Sequence, residues 1–173
     1  EAPVKSIGNS TTTPRDLETD LDVWIILMAL SESVSARLRK HGFKCNVVEI
    51  SIRDNGLNSI TRQKRISQPT NITDEIVKAA FGLFKKHYRW EHPIRSLGVR
   101  GSDLVMEDIP VQLDLFDNQE KRDKLERLDR AVDEIRRRFG YFSIQRAAMY
   151  QDKVLSHLDA GTHTVHPHSY FHG

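Results

Sequence analysis

Ser59-Ile60-Thr61-Arg62-Gln63-Lys64-Arg65-Ile66-Ser67 decides the fold, because it sets three cations into a stretch with the residue types of a β-strand. A charged strand is built for solvent or for a polyanion. It follows Asp54-Asn55-Gly56, where Asn and Gly accept the positive φ angles of a tight turn, so a hairpin is expected with the basic segment as its second arm. Side chains alternate across a strand, which puts Arg62 and Lys64 on one face with Ile60 and Ile66. Arg65 joins Thr61, Gln63 and Ser67 on the other face, which is polar and basic throughout and suits a row of phosphates.

Outward from the hairpin, Phe43 to Arg53 is rich in β-branched residues and forms its first arm. Before it, Leu17, Leu21, Trp24, Ile25, Met28, Val34 and Leu38 recur at helical spacing, with Arg37, Arg39 and Lys40 in the last turn and Gly42 as terminator. A first helix over Leu17 to Lys40, packed by this stripe, is the expectation. Pro3 to Gly8 is a short extended run, and Asn9 to Pro14 is expected as a loop, since its hydroxyls and proline disfavour helix.

After the basic strand, Pro69, Thr70 and Asn71 close the sheet segment, and Thr73 is placed to cap a helix opening on Asp74 and Glu75. Ile76, Ala80, Leu83, Phe84 and His87 supply its buried face, and it ends near Arg89. Ile94 to Arg100 reads as a fourth strand. The order is β-α-β-β-α-β, an α+β fold of the split βαβ kind: a four-stranded sheet with two helices on one face and the other face open. Lys5, the Arg62 to Arg65 group, Arg95 and Arg100 would then make that open face basic.

The whole chain, 173 residues with 38% apolar content, suffices for one core with an appended element. Charge is nearly balanced, 26 Lys plus Arg against 24 Asp plus Glu, so net charge points to no partner. Its distribution does: Arg62, Lys64, Arg65, Lys78, Lys85, Lys86, Arg89, Arg95 and Arg100 face only Asp74, Glu75 and Glu91 between Ser59 and Arg100. A solvated helix face and a charge-protected edge strand would give the same count.

The single Cys45 excludes an internal disulfide and suits core packing in a reducing compartment. No signal peptide or membrane-length apolar run is present, so a cytoplasmic setting without membrane contact is expected, and a chain opening on Glu1 reads as a piece of a longer one. His157, His163, His166, His168 and His172 lack cysteine or close carboxylate partners, so no metal site is expected. Asp103, Glu107 and Asp108 are expected in a solvated loop after strand four.

Lys5-Ser6-Ile7-Gly8, the basic third strand before a proline, and Arg95-Ser96-Leu97-Gly98-Val99-Arg100 together resemble the C-terminal little finger domain of Y-family translesion DNA polymerases, of the polymerase IV and UmuC-like kind. The likeness covers about Val4 to Val111. It implies that Lys5, Ser6, Ile7 and Gly8 hold one backbone of template-primer DNA, and Arg62, Lys64, Arg65, Arg95, Gly98 and Arg100 the other. Which of Arg62, Lys64 and Arg65 faces DNA stays open. Such contacts fit a polymerase that must copy any template, because phosphates carry no sequence. At Gly98 the missing Cβ would let a phosphate approach the strand.

Gln112-Leu113-Asp114-Leu115-Phe116 is similar to the pentapeptide by which bacterial polymerases attach to the sliding β-clamp, with Gln112 orienting and Leu115 and Phe116 filling an apolar pocket. A short strand or the apolar entry to the next helix is the plainer alternative. The expected organisation is a DNA-binding domain over 1–111, the clamp peptide over 112–116, an amphipathic helix within 117–140 carrying Leu125, Leu128, Val132, Ile135 and Phe139, and a tail over 141–173. Phe142 to Ala147 also resembles a segment following the helix in some family members. The resemblance places catalysis, and the Mg2+ it requires, in a palm domain outside this fragment, which by itself would be non-catalytic, without cofactor, and nucleoid-associated. A free-standing nucleic-acid-binding module of the same architecture is the alternative, but it calls for aromatic rings on strands three and four, where arginine, lysine and glycine stand instead.

Overall fold

The computed structural model describes residues 3–110 and 118–158. Its main body runs β1 (Ser6–Leu17), α1 (Asp20–Lys40), β2 (Phe43–Asp54), β3 (Ser59–Thr70), α2 (Thr73–His87) and β4 (Ile94–Met106). The expected element order is therefore present. The sheet order is β1-β4-β2-β3 with every neighbouring pair antiparallel. Each βαβ unit is thus split by one inserted strand: β4 separates β1 from β2, and β2 separates β3 from β4. Both helices lie on one side.

The strands are longer than expected, and the reason is the same at both edges. Asn9 to Pro14, expected as a loop, belongs to β1, and Pro69 lies inside β3. Proline lacks an N–H for the ladder, so within a sheet it is confined to edges and bulges. Pro14 falls where the β1–β4 register shifts between Thr12 and Leu17, and Pro69 where the β2–β3 register shifts between Arg65 and Thr70. The threonines of β1, being β-branched, favour the extended chain.

Helix α1 begins three residues later than the spacing suggests, because Leu17 ends β1 and Thr19 caps the helix. Thr19 Oγ1 accepts from the Asp22 amide at 3.1 Å, and Asp22 accepts from the Thr19 amide at 3.2 Å, a reciprocal capping box. The helix is not packed by one stripe. Val23, Ile25, Ile26, Leu27, Leu30, Val34 and Leu38 are all buried, while Leu21, expected in the stripe, is exposed. The sheet covers one side of α1 through Val48, Ile50, Ile52, Leu97 and Val99, and α2 covers another through Ile76, Ala80, Leu83 and Phe84. Cys45 lies in this core, and burial pushes its thiol up to about 12, so it stays protonated.

Two local expectations are corrected. The β2–β3 turn puts Leu57, not Asn55 or Gly56, at positive φ (67°); Asp54 organises a four-residue loop by accepting from the Asn58 amide at 2.9 Å. Thr73 lies inside α2, whose N-cap is Ile72, and His87 is only half-buried. The Thr73 amide, left over at the helix start, donates to Asp129 of the next helix at 2.8 Å.

That helix, α3 (Gln119–Phe139), is capped by Asn118. Its apolar residues dock it only in part, with Leu125, Val132 and Ile135 half-buried. Leu128 and Phe139 are exposed, and Asp129 is its one buried residue. The docked stripe is charged: Arg122 pairs with Glu75, Asp129 and Asp133 with Arg39, and Arg136 with Glu32. The segment expected as a tail is folded through residue 158, in 3-10 turns at Tyr141–Ser143 and Ala147–Gln151 and a short helix α4 (Lys153–Ser156). Met149 and Leu155 insert into the core over α1, and Arg146 joins Glu32, Asp74 and Asp129.

Candidate nucleic-acid interface

The register assigns every strand residue to a side of the sheet. Toward the helices go Ile7, Asn9, Thr11, Val48, Ile50, Ile52, Leu97 and Val99, all buried. Away from them go Ser6, Gly8, Ser10 and Thr12 of β1, Ser96, Gly98, Arg100 and Ser102 of β4, Glu49, Ser51 and Arg53 of β2, and Thr61, Gln63 and Arg65 of β3. Among the described residues no helix lies over this second face. It is built almost wholly from hydroxyls, glycine and guanidinium groups.

A shallow groove of about 300 Å3 runs across its centre, floored by Gly98, Ser51 and Ser10 and bordered by Thr61, Gly8, Arg37 and Arg100. Gly98 explains the depth. A Cβ there would stand 2.3 Å from Ser51 Oγ and 3.2 Å from Ser10 Cβ, so any larger residue would fill the floor and displace its neighbours. Gly8 plays a related part, since its own Cβ would meet Arg100 Cβ at 3.1 Å; the bare backbone leaves room for the arginine stem.

The residues read as DNA contacts divide between locations. Arg65, Gly98, Arg100, Ser6 and Gly8 are on the open face. Ile7 is buried against the helices, so only its backbone is available. Lys5 is exposed just before β1, and Arg95 is exposed at the start of β4. Arg62 and Lys64 share the parity of Ile50 and Val48, which makes them project to the helix side of the sheet, exposed beyond the helix layer. The expected face of six strand and near-strand cations is therefore a smaller one.

Each arginine recognised in advance near this face also has a carboxylate. Arg100 Nε donates to Glu49 Oε1 at 2.8 Å, and its Nη2 bonds the same oxygen. Arg65 Nη1 pairs with Asp103 at 2.6 Å and Arg95 Nη1 with Asp16 at 3.3 Å. Asp103 does not sit in a loop. It lies within β4 at a positive φ of 51°, where Asn46 Nδ2 donates to its carbonyl at 3.0 Å, and this irregularity turns the carboxylate to Arg65. Glu107 and Asp108 do follow the strand.

Two cations were missed. Arg53 belongs to the open face by the alternation of β2, a signal present in the hairpin but overlooked because that arm was taken as plain apolar sheet. Arg37, assigned only to the dipole of α1, passes under β1 and donates to the Gly8 carbonyl at 2.9 Å, putting a guanidinium at the groove's edge. Among the described residues no group of three or more His, Cys, Asp and Glu side chains could hold a metal ion, and no helix is long and apolar enough to cross a membrane. The pentapeptide Gln112 to Phe116 and the histidines from His163 onward lie outside the described residues.

Comparison with known proteins adds a family. The impB/mucB/samB family C-terminal domain matches residues 4–115. DNA polymerase IV of Acetivibrio thermocellus is 47% identical over 158 residues, 91% of this chain and 40% of that protein. A match of that length in a chain of 173 residues must take in α3. DNA polymerase IV of Alkaliphilus oremlandii is 34% identical over 153 residues, 84% of this chain and 38% of that protein. The chain thus spans about two fifths of the length of these curated relatives. A solved complex of a beta-clamp processivity factor and the little finger domain of PolIV aligns with a TM-score of 0.49 at 16% identity, covering 64% of this chain and 98% of that one.

Proposed function

The chain belongs to the impB/mucB/samB C-terminal domain family, and we propose that it is the part of a Y-family translesion DNA polymerase that grips template-primer DNA and ties the enzyme to its sliding clamp. The observation that carries the first half is the open sheet face. Its groove has a glycine and hydroxyl floor and guanidinium borders, which supply N–H and O–H donors to phosphate oxygens. An RNA-recognition-like module would carry aromatic rings on such a face for stacking, and the register puts none there.

Binding by this face is indifferent to sequence and weakens steeply with salt, because each phosphate engaged releases condensed counterions. The test is a titration of two unrelated primer-template duplexes at several salt concentrations: equal affinities with a steep negative salt slope support the reading, and strong sequence selectivity or salt insensitivity defeats it. Arg100, Arg65, Gly98, Ser6 and Gly8 carry the contacts in this account, with Arg37 and Arg53 beside them. Arg62, Lys64 and Lys5 contribute long-range attraction from the margins, while Arg95 stands there paired with Asp16.

The second half rests on Gln112-Leu113-Asp114-Leu115-Phe116, a peptide with an orienting amide and two apolar anchors directly after the DNA-binding body. Calorimetric titration of a bacterial sliding clamp checks it. The chain binds, and a variant with Gln112, Leu115 and Phe116 all changed to alanine does not; equal heats from both would remove the peptide from the account. Polymerisation, with its Mg2+, belongs to the parent enzyme on this reading, which works at the bacterial nucleoid, while the present piece serves as grip and tether.

A further inference from the structure

Glu49 is out of character with its surroundings. The register places it in the middle of the open face, between Arg100 on β4 and Gln63 on β3. Asp16, near the end of β1, lines the rim of that face with Thr12, Arg53 and Ser96, and Asp103 arrives there through an irregular backbone, so Glu49 is the carboxylate that strand alternation sends to its centre. Its side chain is 14% exposed against 50% for Arg100, so the acid is packed into the sheet surface while the base lies over it. Both the Nε and Nη2 groups of Arg100 converge on Oε1 of Glu49. A carboxylate oxygen held by two guanidinium N–H groups occupies the place a phosphate oxygen would take.

Resting on the DNA-gripping reading above, we propose that Glu49 is a built-in competitor of the DNA phosphate for Arg100, holding the affinity of this face below what its arginines could reach. The pair has no net charge, so it draws no phosphate at a distance, and an incoming phosphate must either displace Glu49 or share Arg100 with a like charge a few ångströms away. For a domain that must release each base pair as the template advances, moderated grip is an advantage.

The experiment compares the affinity of one primer-template duplex, by fluorescence anisotropy over a salt series, for the wild-type chain, Glu49→Gln, Arg100→Ala and Glu134→Gln. Glu49→Gln keeps the shape and one hydrogen-bond acceptor while removing the charge; Glu134→Gln removes the same charge from the exposed side of α3 and controls for net charge. Glu49→Gln is expected to bind about threefold or more tighter at low salt, with a steeper salt slope, while Glu134→Gln stays at the wild-type value. If wild type binds, Arg100→Ala weakens it and Glu49→Gln is unchanged or weaker, the inference is overturned and the DNA-gripping reading stands. If Glu134→Gln tightens binding as much as Glu49→Gln, the gain is only net charge and the inference again falls. If neither wild type nor Glu49→Gln binds any duplex, both fall together.

Discussion

Arginine–carboxylate pairs occur in two regions of this molecule, and they do different work. On the open sheet face the Arg65 side chain is 66% exposed and its partner Asp103 50%. Between α1 and α3, Arg39 is 4% exposed and Asp129 6%. The chemistry is the same, but the surroundings are not. In water the attraction between two charges is screened and the geometry is loosely held, so such pairs contribute from nothing to about 1 kcal/mol and exchange partners readily. Away from water neither charge can be left alone, so the pair becomes a fixed joint even where its net contribution is small. The sheet leaves Arg65 and Arg100 half or more exposed, while the helix layer uses its arginines to hold α3 in place.

Changing Arg39 to alanine should give the largest effect. It strands Asp133, removes a donor from Asp129 and from the Asn71 carbonyl, and is expected to cost about 3 kcal/mol or more in urea denaturation. A small loss would mean that α3 docks by something other than these charges. Next come Arg100→Ala and Arg65→Ala, each expected to lower affinity about threefold to tenfold on every duplex tested and to reduce the salt slope by about one, with the urea midpoint nearly unmoved. If either unfolds the protein instead, the open face is structural and the contrast fails.

A third prediction concerns acid. Burial raises the pKa of Asp22, but the Arg15 guanidinium and the Glu18 and Thr19 amides outweigh it and hold the carboxyl below its ordinary value. Asp152 is held low by the Leu155 amide and by Arg15. A depressed folded-state pKa stabilises above the unfolded value and loses that stability as pH falls through the folded one. Melting temperature should therefore hold steady down to about pH 4 and decline below it, and Arg15→Ala should flatten this acid-side decline. The smallest effect is expected from Glu134→Ala, whose Arg137 partner is 71% exposed; an unmoved urea midpoint would place it with the sheet-face pairs, and a clear shift would blur the distinction between the regions.

Much of the fold was legible because it depends on local signals. The Asp54 turn, the apolar recurrence in α1 and α2 and the β-branched runs gave the element order without reference to distant residues. Where strands ended was less legible, since Pro14 and Pro69 read as breaks until β1 and β3 are known to be edges. The docking of α3 was misjudged in kind. Leu125, Leu128 and Val132 suggested an apolar seam, while Arg122, Asp129, Asp133 and Arg136 lie on the docked side and find partners in Glu75, Arg39 and Glu32, between 47 and 104 residues away. Alternation correctly separated Arg65 from Arg62 and Lys64. It could not show that Glu49 would meet Arg100 across β4, because pairing between strands is a property of the assembled sheet.

The prolines have a consequence beyond register. Each outer strand carries one residue that cannot donate to a ladder, set where the backbone also departs from regular pairing. A strand from another molecule laid along either margin would find a missing rung and a bend within a few residues. The sheet is in this way terminated on both sides without closing into a barrel, so crowded copies can lie side by side and not stitch into a fibre.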